Sequence, residues 1–170
     1  MNLQDFRVQP ALCLDFDGTI RHSKEGTFIN KVEDILLYPD VEPKLWEYRN
    51  LGFLILGITN QGSVAFGYKS MEQMQAELDA TLALFTQNPF DAVQVSLSHP
   101  KGTVPPLNQR SLLRKPDIGM LAVSEVQMFH RGVMIDWDRS IFVGDRPEDE
   151  ECAQRAGIHF IHSDVFFGRV

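Results

Sequence analysis

Two carboxylates, Asp15 and Asp17, stand one residue apart directly after a short apolar run near the start of the chain. A short apolar run bounded by a turn signal is typical of a buried strand, and open α/β sheets bind ligands where such strands end. Paired carboxylates suit magnesium, and a carboxylate can also attack phosphorus to form an aspartyl phosphate. We therefore predict that Asp15 is a nucleophile and metal ligand, and that Asp17 handles the proton of the leaving group.

The same residues have two simpler interpretations, a calcium loop and a solvated turn. A calcium loop carries glycine at its sixth position and glutamate at its twelfth. Counted from Asp15, glycine stands at the fourth position and Gly26 at the twelfth, so the calcium pattern does not fit. On this motif alone, a solvated turn remains as good an interpretation as a site.

Three further polar clusters lie at or beside the ends of predicted elements: Thr59 with Asn60 and Gln61, Arg114 with Lys115, and Asp145 with Asp149. Strand ends in a parallel sheet share one edge, so we expect these clusters to meet Asp15. Phosphoryl transfer needs donors and charges around the phosphoryl oxygens. Thr59 would offer a hydroxyl and Lys115 a compact positive charge. Asp145 would join Asp15 on magnesium, with the backbone carbonyl of Asp17 as a further ligand.

Each of these residues also has an ordinary structural interpretation. Thr59 could cap a helix, Lys115 could be a solvated surface lysine, and Asp145 could be a turn residue. Asp149 fits the first turn of a helix, where the dipole favours an acid, as well as it fits support for the metal's water shell or for Lys115. If there were no site, all of these simple interpretations would have to be correct at once. The coincidence that this requires favours a functional site.

Strand and helix signals alternate along the chain, which predicts an α/β fold with a central parallel sheet of about five strands. We predict strands near 10–15, 53–59, 91–97, 140–145 and 158–161, and helices near 41–51, 70–87, 117–130 and 147–157. Residues 1–9 are predicted to be a short lead-in. The polar segment 20–38 is a candidate flap over the site, and the proline-rich segment 98–113 is predicted to be irregular.

The composition predicts one soluble domain spanning residues 1–170, with 44% hydrophobic residues and a net charge of −7. That charge counts mildly against a large nucleic-acid-binding face, so a small phosphorylated molecule is the expected partner. Neither a secretory signal nor a membrane span is recognisable, and no membrane partner is expected. The two cysteines make neither a disulfide framework nor a zinc site, so a cytoplasmic location is expected.

The four clusters resemble the motifs of haloacid-dehalogenase (HAD) superfamily phosphatases. Residues 15–19, DFDGT, are similar to the first motif, Thr59 to the second, Lys115 to the third, and Gly144-Asp145 with Asp149 to the fourth. The resemblance covers nearly the whole chain. It implies a Rossmann-like three-layer sandwich with a minimal cap, magnesium as the cofactor, and a phosphoaspartate intermediate.

The finer resemblance is to the subgroup that contains heptose bisphosphate and histidinol-phosphate phosphatases. Residues 59–62, TNQG, and the stretch RKPDIGML at 114–121 are similar to its signatures. This implies a sugar (bis)phosphate or similar metabolite as substrate. The residues it places at the substrate are Thr19, Asn60, Gln61, Arg114 and Lys115.

The chain departs from that subgroup in a loop that binds zinc through cysteine and histidine. The matching positions in segment 96–114 are Ser96, Ser98, Ser111 and Leu113. Serine and leucine do not bind zinc in such sites, so no zinc is expected. Because this loop differs, the resemblance leaves the identity of the substrate open.

A second resemblance is to the phosphatase domain of polynucleotide kinase/phosphatases, whose third motif also reads RKPxxGM. It implies the alternative activity of removing 3′-phosphates from nucleic-acid ends. A non-catalytic phosphate-binding regulatory module is a further alternative, against which the intact Asp15 and Asp17 argue. Transfer of the phosphoryl group to an alcohol rather than to water is also left open.

Overall fold

The computed structural model describes residues 6–26 and 28–170, and all structural statements below concern these residues. The strands are β1 (Arg7–Gln9), β2 (Ala11–Leu14), β3 (Arg21–Ser23), β4 (Ile35–Leu37), β5 (Leu54–Asn60), β6 (Ala92–Ser96), β7 (Val133–Ile135), β8 (Ile141–Gly144) and β9 (His159–His162). The helices are α1 (Val41–Asn50), α2 (Met71–Ala83), α3 (Gly119–His130), α4 (Pro147–Ala156) and α5 (Ser163–Phe167).

The central sheet has five parallel strands in the order β6-β5-β2-β8-β9, which confirms the predicted fold class. Within this sheet, the first strand along the chain is the central strand β2; β5 and β6 follow on one side of it, and β8 and β9 on the other. The order therefore reverses between β2 and β8. Ligands of open α/β sheets bind outside the carboxyl ends of the strands at such a point.

Side chains of β2 alternate between two hydrophobic cores, one on each face of the sheet. Ala11 and Cys13 belong to the core under α3 and α4, whereas Leu12 and Leu14 belong to the core under α1 and α5. All four are fully buried, as expected for a strand covered on both faces. The sheet and its two helical layers form the predicted three-layer sandwich.

The helix boundaries follow local signals in the sequence. Ser70 caps α2 in a capping box with Gln73. Pro147 begins α4, where its missing N–H costs nothing, and Gly157 ends that helix with a left-handed backbone. None of the helices in the described ranges is long and apolar enough to cross a membrane.

The predicted lead-in is wrong at residues 7–9, which form β1 and pair in parallel with β7. A three-residue strand carries too few alternating positions to be recognised by period, and its partner lies more than a hundred residues further along the chain. Residues 1–5, the rest of that lead-in, lie outside the described part of the chain.

The segment proposed as a flap contains the antiparallel hairpin β3–β4. Its base is anchored in the protein, because Ile20 and Ile35 are both buried. The proline-rich segment after β6 is irregular, as predicted. It is tied to the turn after β5, since Thr103 and Val104 both donate backbone hydrogen bonds to the carbonyl of Ala65, at 2.7 and 2.9 Å.

Candidate active site

A buried lysine, Lys115, joins the carboxylate of Asp15 to that of Asp149. The Nζ of Lys115 lies 2.6 Å from Oδ1 of Asp15 and 2.6 Å from Oδ1 of Asp149. It also donates a hydrogen bond to the carbonyl oxygen of Ile58, in β5, at 2.7 Å. Only 2% of Lys115 is exposed, so the ammonium is held entirely by these three oxygens. Asp149, left open by the sequence, is thus a direct partner of Lys115.

Burial and charge act in opposite directions in this cluster. Burial raises the pKa of Asp15 to about 7, although the charge of Lys115 opposes the rise. Burial alone would lower the pKa of Lys115, but Asp15 and Asp149 together raise it, so the lysine stays charged. Two buried carboxylates therefore share a single positive charge. This arrangement is costly in the free protein and favourable for binding a cation nearby.

Asp145 completes a group of three carboxylates. Oxygen atoms of Asp15, Asp145 and Asp149 all lie within 4.8 Å of one another. Burial raises the pKa of Asp145, as does the charge of Asp149, while Arg146 lowers it. Oxygen ligands crowded at this spacing are the donor set that a hard cation such as Mg²⁺ prefers. The chemistry of the cluster therefore fits a magnesium ion.

The turn after Asp15 is shaped around Asp145. Gly18 has a φ of +87°, and a Cβ at this position would collide with the Asp145 carboxylate. Thr19 is fully buried, with its Oγ1 3.5 Å from Oδ1 of Asp145. In the structure this side chain supports Asp145, and the predicted contact of Thr19 with the substrate remains a prediction.

Asp17 is not part of the carboxylate group. Its Oδ1 accepts a hydrogen bond from Nε of Arg21 at 2.7 Å, and its Oδ2 accepts one from Nε2 of Gln61 at 2.8 Å. Burial would raise the pKa of Asp17, but Arg21 and Gln61 hold it below its usual range. The predicted metal role of Asp17 therefore rests on its backbone carbonyl and remains a prediction.

The polar cluster at the end of β5, formed by Thr59, Asn60 and Gln61, contacts other residues of the site more than it faces solvent. Gln61 also donates to Oγ1 of Thr59 at 2.9 Å, so it bridges Thr59 and Asp17. The Asn60 side chain forms two hydrogen bonds with the backbone of Lys115, one with its N–H at 3.0 Å and one with its carbonyl at 3.1 Å. Asn60 thereby holds the segment that presents the lysine. Phosphate contact by Thr59 remains a prediction.

These groups surround a small cleft of about 60 Å³ at the carboxyl ends of β2 and β8. Its lining residues are Asp15, Asp17, Asn60, Arg114, Lys115, Arg146, Glu148 and Asp149. Pockets that enclose a drug-sized ligand start at about 300 Å³. The cleft can therefore enclose a transferred group, while the rest of a substrate would lie outside it. A larger cleft of about 320 Å³ lies elsewhere, near Arg49 and Asp91, and none of the predicted site residues line it.

Several residues at the site were not identified from the sequence. Arg146 and Glu148 line the cleft, and their position beside Asp145 was the available signal. Arg21 is only 2% exposed and also donates to Oγ1 of Thr81, in α2. A single arginine in a polar stretch gives no local signal of burial, so this contact required the tertiary structure.

The turn at Gly18 yields a testable expectation. Replacement Gly18→Ala should lower the affinity for Mg²⁺ and kcat/KM by at least about tenfold, because the methyl group displaces Asp145. A matched control is Gly52→Ala, where φ is +88° but nothing lies near the new methyl group. Both variants should lose about 1 kcal/mol of unfolding free energy from backbone strain. Titration calorimetry with Mg²⁺ separates them, and equal affinities in the two variants would contradict this role of Gly18.

Comparison with solved structures identifies the architecture. A HAD-like phosphatase from Mesorhizobium loti superposes with a TM-score of 0.74 at 29% identity, covering 90% of this chain and 71% of the other. The D,D-heptose 1,7-bisphosphate phosphatase of B. bronchiseptica, solved with magnesium and phosphate, superposes with a TM-score of 0.70 at 20% identity, covering 89% and 79% of the two chains. The protein thus has the HAD phosphatase fold.

Sequence comparison points to the same class of enzyme. The D-glycero-alpha-D-manno-heptose-1,7-bisphosphate 7-phosphatase of Photorhabdus laumondii is 33% identical over 158 residues, which cover 92% of this chain and 82% of the relative. The D-glycero-beta-D-manno-heptose-1,7-bisphosphate 7-phosphatase of Escherichia coli K12 is 30% identical over 152 residues, which cover 88% of this chain and 75% of the relative. The model of the polynucleotide kinase 3 phosphatase family matches residues 11–169. The chain belongs to this family of HAD-like phosphatases.

Proposed function

We propose that this phosphatase is a magnesium-dependent phosphomonoesterase that works through an aspartyl phosphate on Asp15, with a sugar (bis)phosphate or a similar small metabolite as substrate. The observation that carries the proposal is the buried cluster in which Lys115 bridges Asp15 and Asp149 beside Asp145. It combines a nucleophile, a phosphate-binding charge and the donor set of a metal at one sheet edge.

In the first step, a carboxylate oxygen of Asp15 attacks phosphorus and the bond to the leaving oxygen breaks. Lys115 neutralises charge on the phosphoryl group, and bound Mg²⁺ would add positive charge there. Asp17 gives its proton to the leaving oxygen and then takes one from the water that hydrolyses the aspartyl phosphate. Free Asp15 and inorganic phosphate are the products of this second step.

The contact between Asp17 and Arg21 has a consequence for this cycle. The guanidinium favours the ionised form of Asp17, which suits a base but not an acid. A bound phosphate ester brings negative charge beside Asp17 and raises the pKa of this carboxyl. We therefore propose that Asp17 takes up its proton when the substrate binds. Arg21 would then return Asp17 to the ionised form once phosphate leaves.

The choice of a small metabolite draws support from the relatives, which are named for heptose bisphosphates. The small cleft fits the same proposal, because the sugar would lie outside it, and Arg114 and Arg146 among the lining residues could contact a second phosphate. We further propose that residues 1–170 act as one domain and that the hairpin β3–β4 is its flap, since Arg21 joins the hairpin to Asp17.

Removal of 3′-phosphates from nucleic-acid ends is the second candidate, and the family match favours it. The net charge of −7 counts against a long nucleic-acid contact. The test is a panel of heptose 1,7-bisphosphate, histidinol phosphate and a 3′-phosphorylated oligonucleotide, assayed with Mg²⁺. We expect kcat/KM for the heptose bisphosphate to exceed that for the oligonucleotide by at least about tenfold, and the reverse order would establish the second candidate.

Magnesium binding is expected to weaken as the pH falls. Burial raises the pKa of both Asp15 and Asp145, so protons compete with the metal at higher pH than for ordinary aspartates. The sign follows from this competition: the ionised form of Asp15 is lost as the pH drops below about 7, and protonation of Asp145 at lower pH acts in the same direction. Titration calorimetry at about pH 8 and pH 6 should show at least a several-fold weaker affinity at the lower pH. Equal affinities would contradict the assigned ligands.

A further inference from the structure

An arginine that follows α5 reaches back to the turn that carries the first motif. The Nη2 of Arg169 donates a hydrogen bond to the backbone carbonyl of Thr19 at 3.0 Å. Its Nε and Nη2 also bind the Asp40 carboxylate, at 2.8 and 3.3 Å. The guanidinium carbon lies 3.8 Å from the centroid of the Tyr38 ring and 4.5 Å from that of the Phe167 ring. Arg169 is thus held by two aromatic rings, a carboxylate and a backbone carbonyl.

The carbonyl that Arg169 binds belongs to a fully buried residue of the catalytic turn. Thr19 is 0% exposed, and the N–H groups of Thr19, Ile20 and Arg21 all point to the carbonyl of Phe16. A buried carbonyl without a donor is costly, so the bond from Arg169 stabilises this particular arrangement of the turn. The contact couples the segment after α5 to the stretch that contains Asp17.

The same threonine connects Arg169 to the proposed metal ligands. While the Thr19 carbonyl accepts from Arg169, its Oγ1 lies 3.5 Å from the carboxylate of Asp145. A displacement of Thr19 would therefore move both the turn and the side chain beside Asp145. Misplacement of reacting groups by about 1 Å can cost about a hundredfold in rate.

We propose that Arg169 is a positioning residue that latches the catalytic turn, with Asp40, Tyr38 and Phe167 forming its socket. The expected effect of Arg169 on the rate rests on the proposed function, but the contact by which Arg169 stabilises the turn does not depend on that function. Arg169 touches none of the groups that would react, so it acts through Thr19. Its loss should lower kcat more than it raises KM, because the phosphate-binding Lys115 stays in place.

A matched control exists elsewhere in the fold. Arg49 binds Asp91 at 2.9 and 3.3 Å and lies over the ring of Trp46, so it has the same kind of ion pair and aromatic contact. Asp91 accepts a hydrogen bond from the N–H of Ile55, near the start of β5, at the edge of the sheet opposite the catalytic turn. Arg49→Gln therefore removes a comparable interaction without touching the turn.

The experiment compares Arg169→Gln and Arg169→Lys with Arg49→Gln. In Arg169→Gln, we expect amide hydrogen exchange of residues 16–21 to become about tenfold faster, while exchange in β5 stays at the wild-type rate. In Arg49→Gln, exchange of residues 16–21 should stay at the wild-type rate. With a phosphate ester and Mg²⁺, kcat should fall about tenfold or more in Arg169→Gln, with KM changed less than about twofold. Arg169→Lys should recover only part of the lost activity, because one ammonium can replace only some of the hydrogen bonds that the guanidinium donates to Asp40 and Thr19.

Unchanged exchange of residues 16–21 in Arg169→Gln would overturn the latch, and so would an equal loss of kcat in Arg49→Gln, since that loss would follow stability rather than position. If the wild-type protein hydrolyses none of the phosphate esters, the proposed function fails. The exchange comparison still decides whether the latch exists, because it does not depend on turnover.

Discussion

Replacement Asp15→Asn is expected to abolish phosphatase turnover while the protein remains folded. The amide has nearly the shape of the carboxylate but cannot attack phosphorus, so we expect kcat to fall by at least about 10³-fold. In the wild type, acid-quenched enzyme should carry a phosphoryl group on Asp15, detectable by peptide mass spectrometry. The variant should carry none.

The stability of this variant should change in the opposite direction from its activity. Asp15 and Asp149 share one lysine, so removing one negative charge relieves repulsion in the free protein. The unfolding free energy measured in urea without metal should stay equal or rise. Stabilisation by added Mg²⁺ should shrink, because a metal ligand is lost.

Asp138→Asn is the control for this experiment, because Asp138 is exposed and lies in the short helical turn Trp137–Arg139. It should leave kcat and the unfolding free energy unchanged within error. An Asp15→Asn enzyme that keeps more than about a tenth of the wild-type kcat would exclude the covalent mechanism. A loss of activity that accompanies unfolding would instead show that Asp15 is needed for the fold.

Replacement Lys115→Met has the second large expected effect, and this one falls on stability as well as on rate. It leaves Asp15 and Asp149 buried without their shared counter-charge. Breaking a buried ion pair from one side typically costs about 3–5 kcal/mol of unfolding free energy. Loss of the charge that we propose to bind the phosphoryl group should lower kcat/KM by about 10²–10³.

The stability loss in Lys115→Met should depend on pH with a defined sign. Burial already raises the pKa of Asp15, and removing Lys115 raises it further because the lysine is the group that opposes the rise. A carboxyl whose folded-state pKa is raised contributes stability at low pH, and this contribution is lost as the pH rises. Urea unfolding should therefore show a larger loss at about pH 8 than at about pH 5.

Two further variants test whether charge is the cause. Lys115→Met combined with Asp149→Asn should regain part of the stability, because only one buried carboxylate remains near the vacated position. Lys44→Met removes a lysine that pairs with Glu47 at 3.0 Å on the surface, and it should cost less than about 1 kcal/mol. A double variant no more stable than Lys115→Met would show that lost packing, not charge, explains the effect.

Much of the fold could be predicted from the sequence, and the candidate catalytic groups could be proposed from it, because their signals are local. The apolar run before Asp15, the capping box at Ser70 and Pro147 at the start of α4 each lie within a few residues of the element they define. Alternation of such elements was enough to predict a five-stranded parallel sheet. The short strand β1 was missed because its signal resides in its pairing with β7.

The relations among the site residues depended on contacts between distant parts of the chain. Lys115 and Asp15 are separated by 100 positions, and Arg169 and Thr19 by 150. Asn60 lines the cleft, as its predicted substrate contact requires, but the bonds from its amide to the backbone of Lys115 were not predicted. Polar side chains have several possible partners, and burial selects those that leave the fewest groups without a hydrogen bond.

The sequence by itself therefore determined that Asp15 follows a buried strand and lies at the carboxyl edge of a parallel sheet, and it led to the chemistry that we propose for this residue, because residue type and local pattern carry both signals. The tertiary structure alone decided that one lysine serves two carboxylates, that Arg21 keeps Asp17 ionised, and that Arg169 supports the turn between them. These facts depend on the fold because the pKa and position of a buried group are set by the neighbours that folding brings to it.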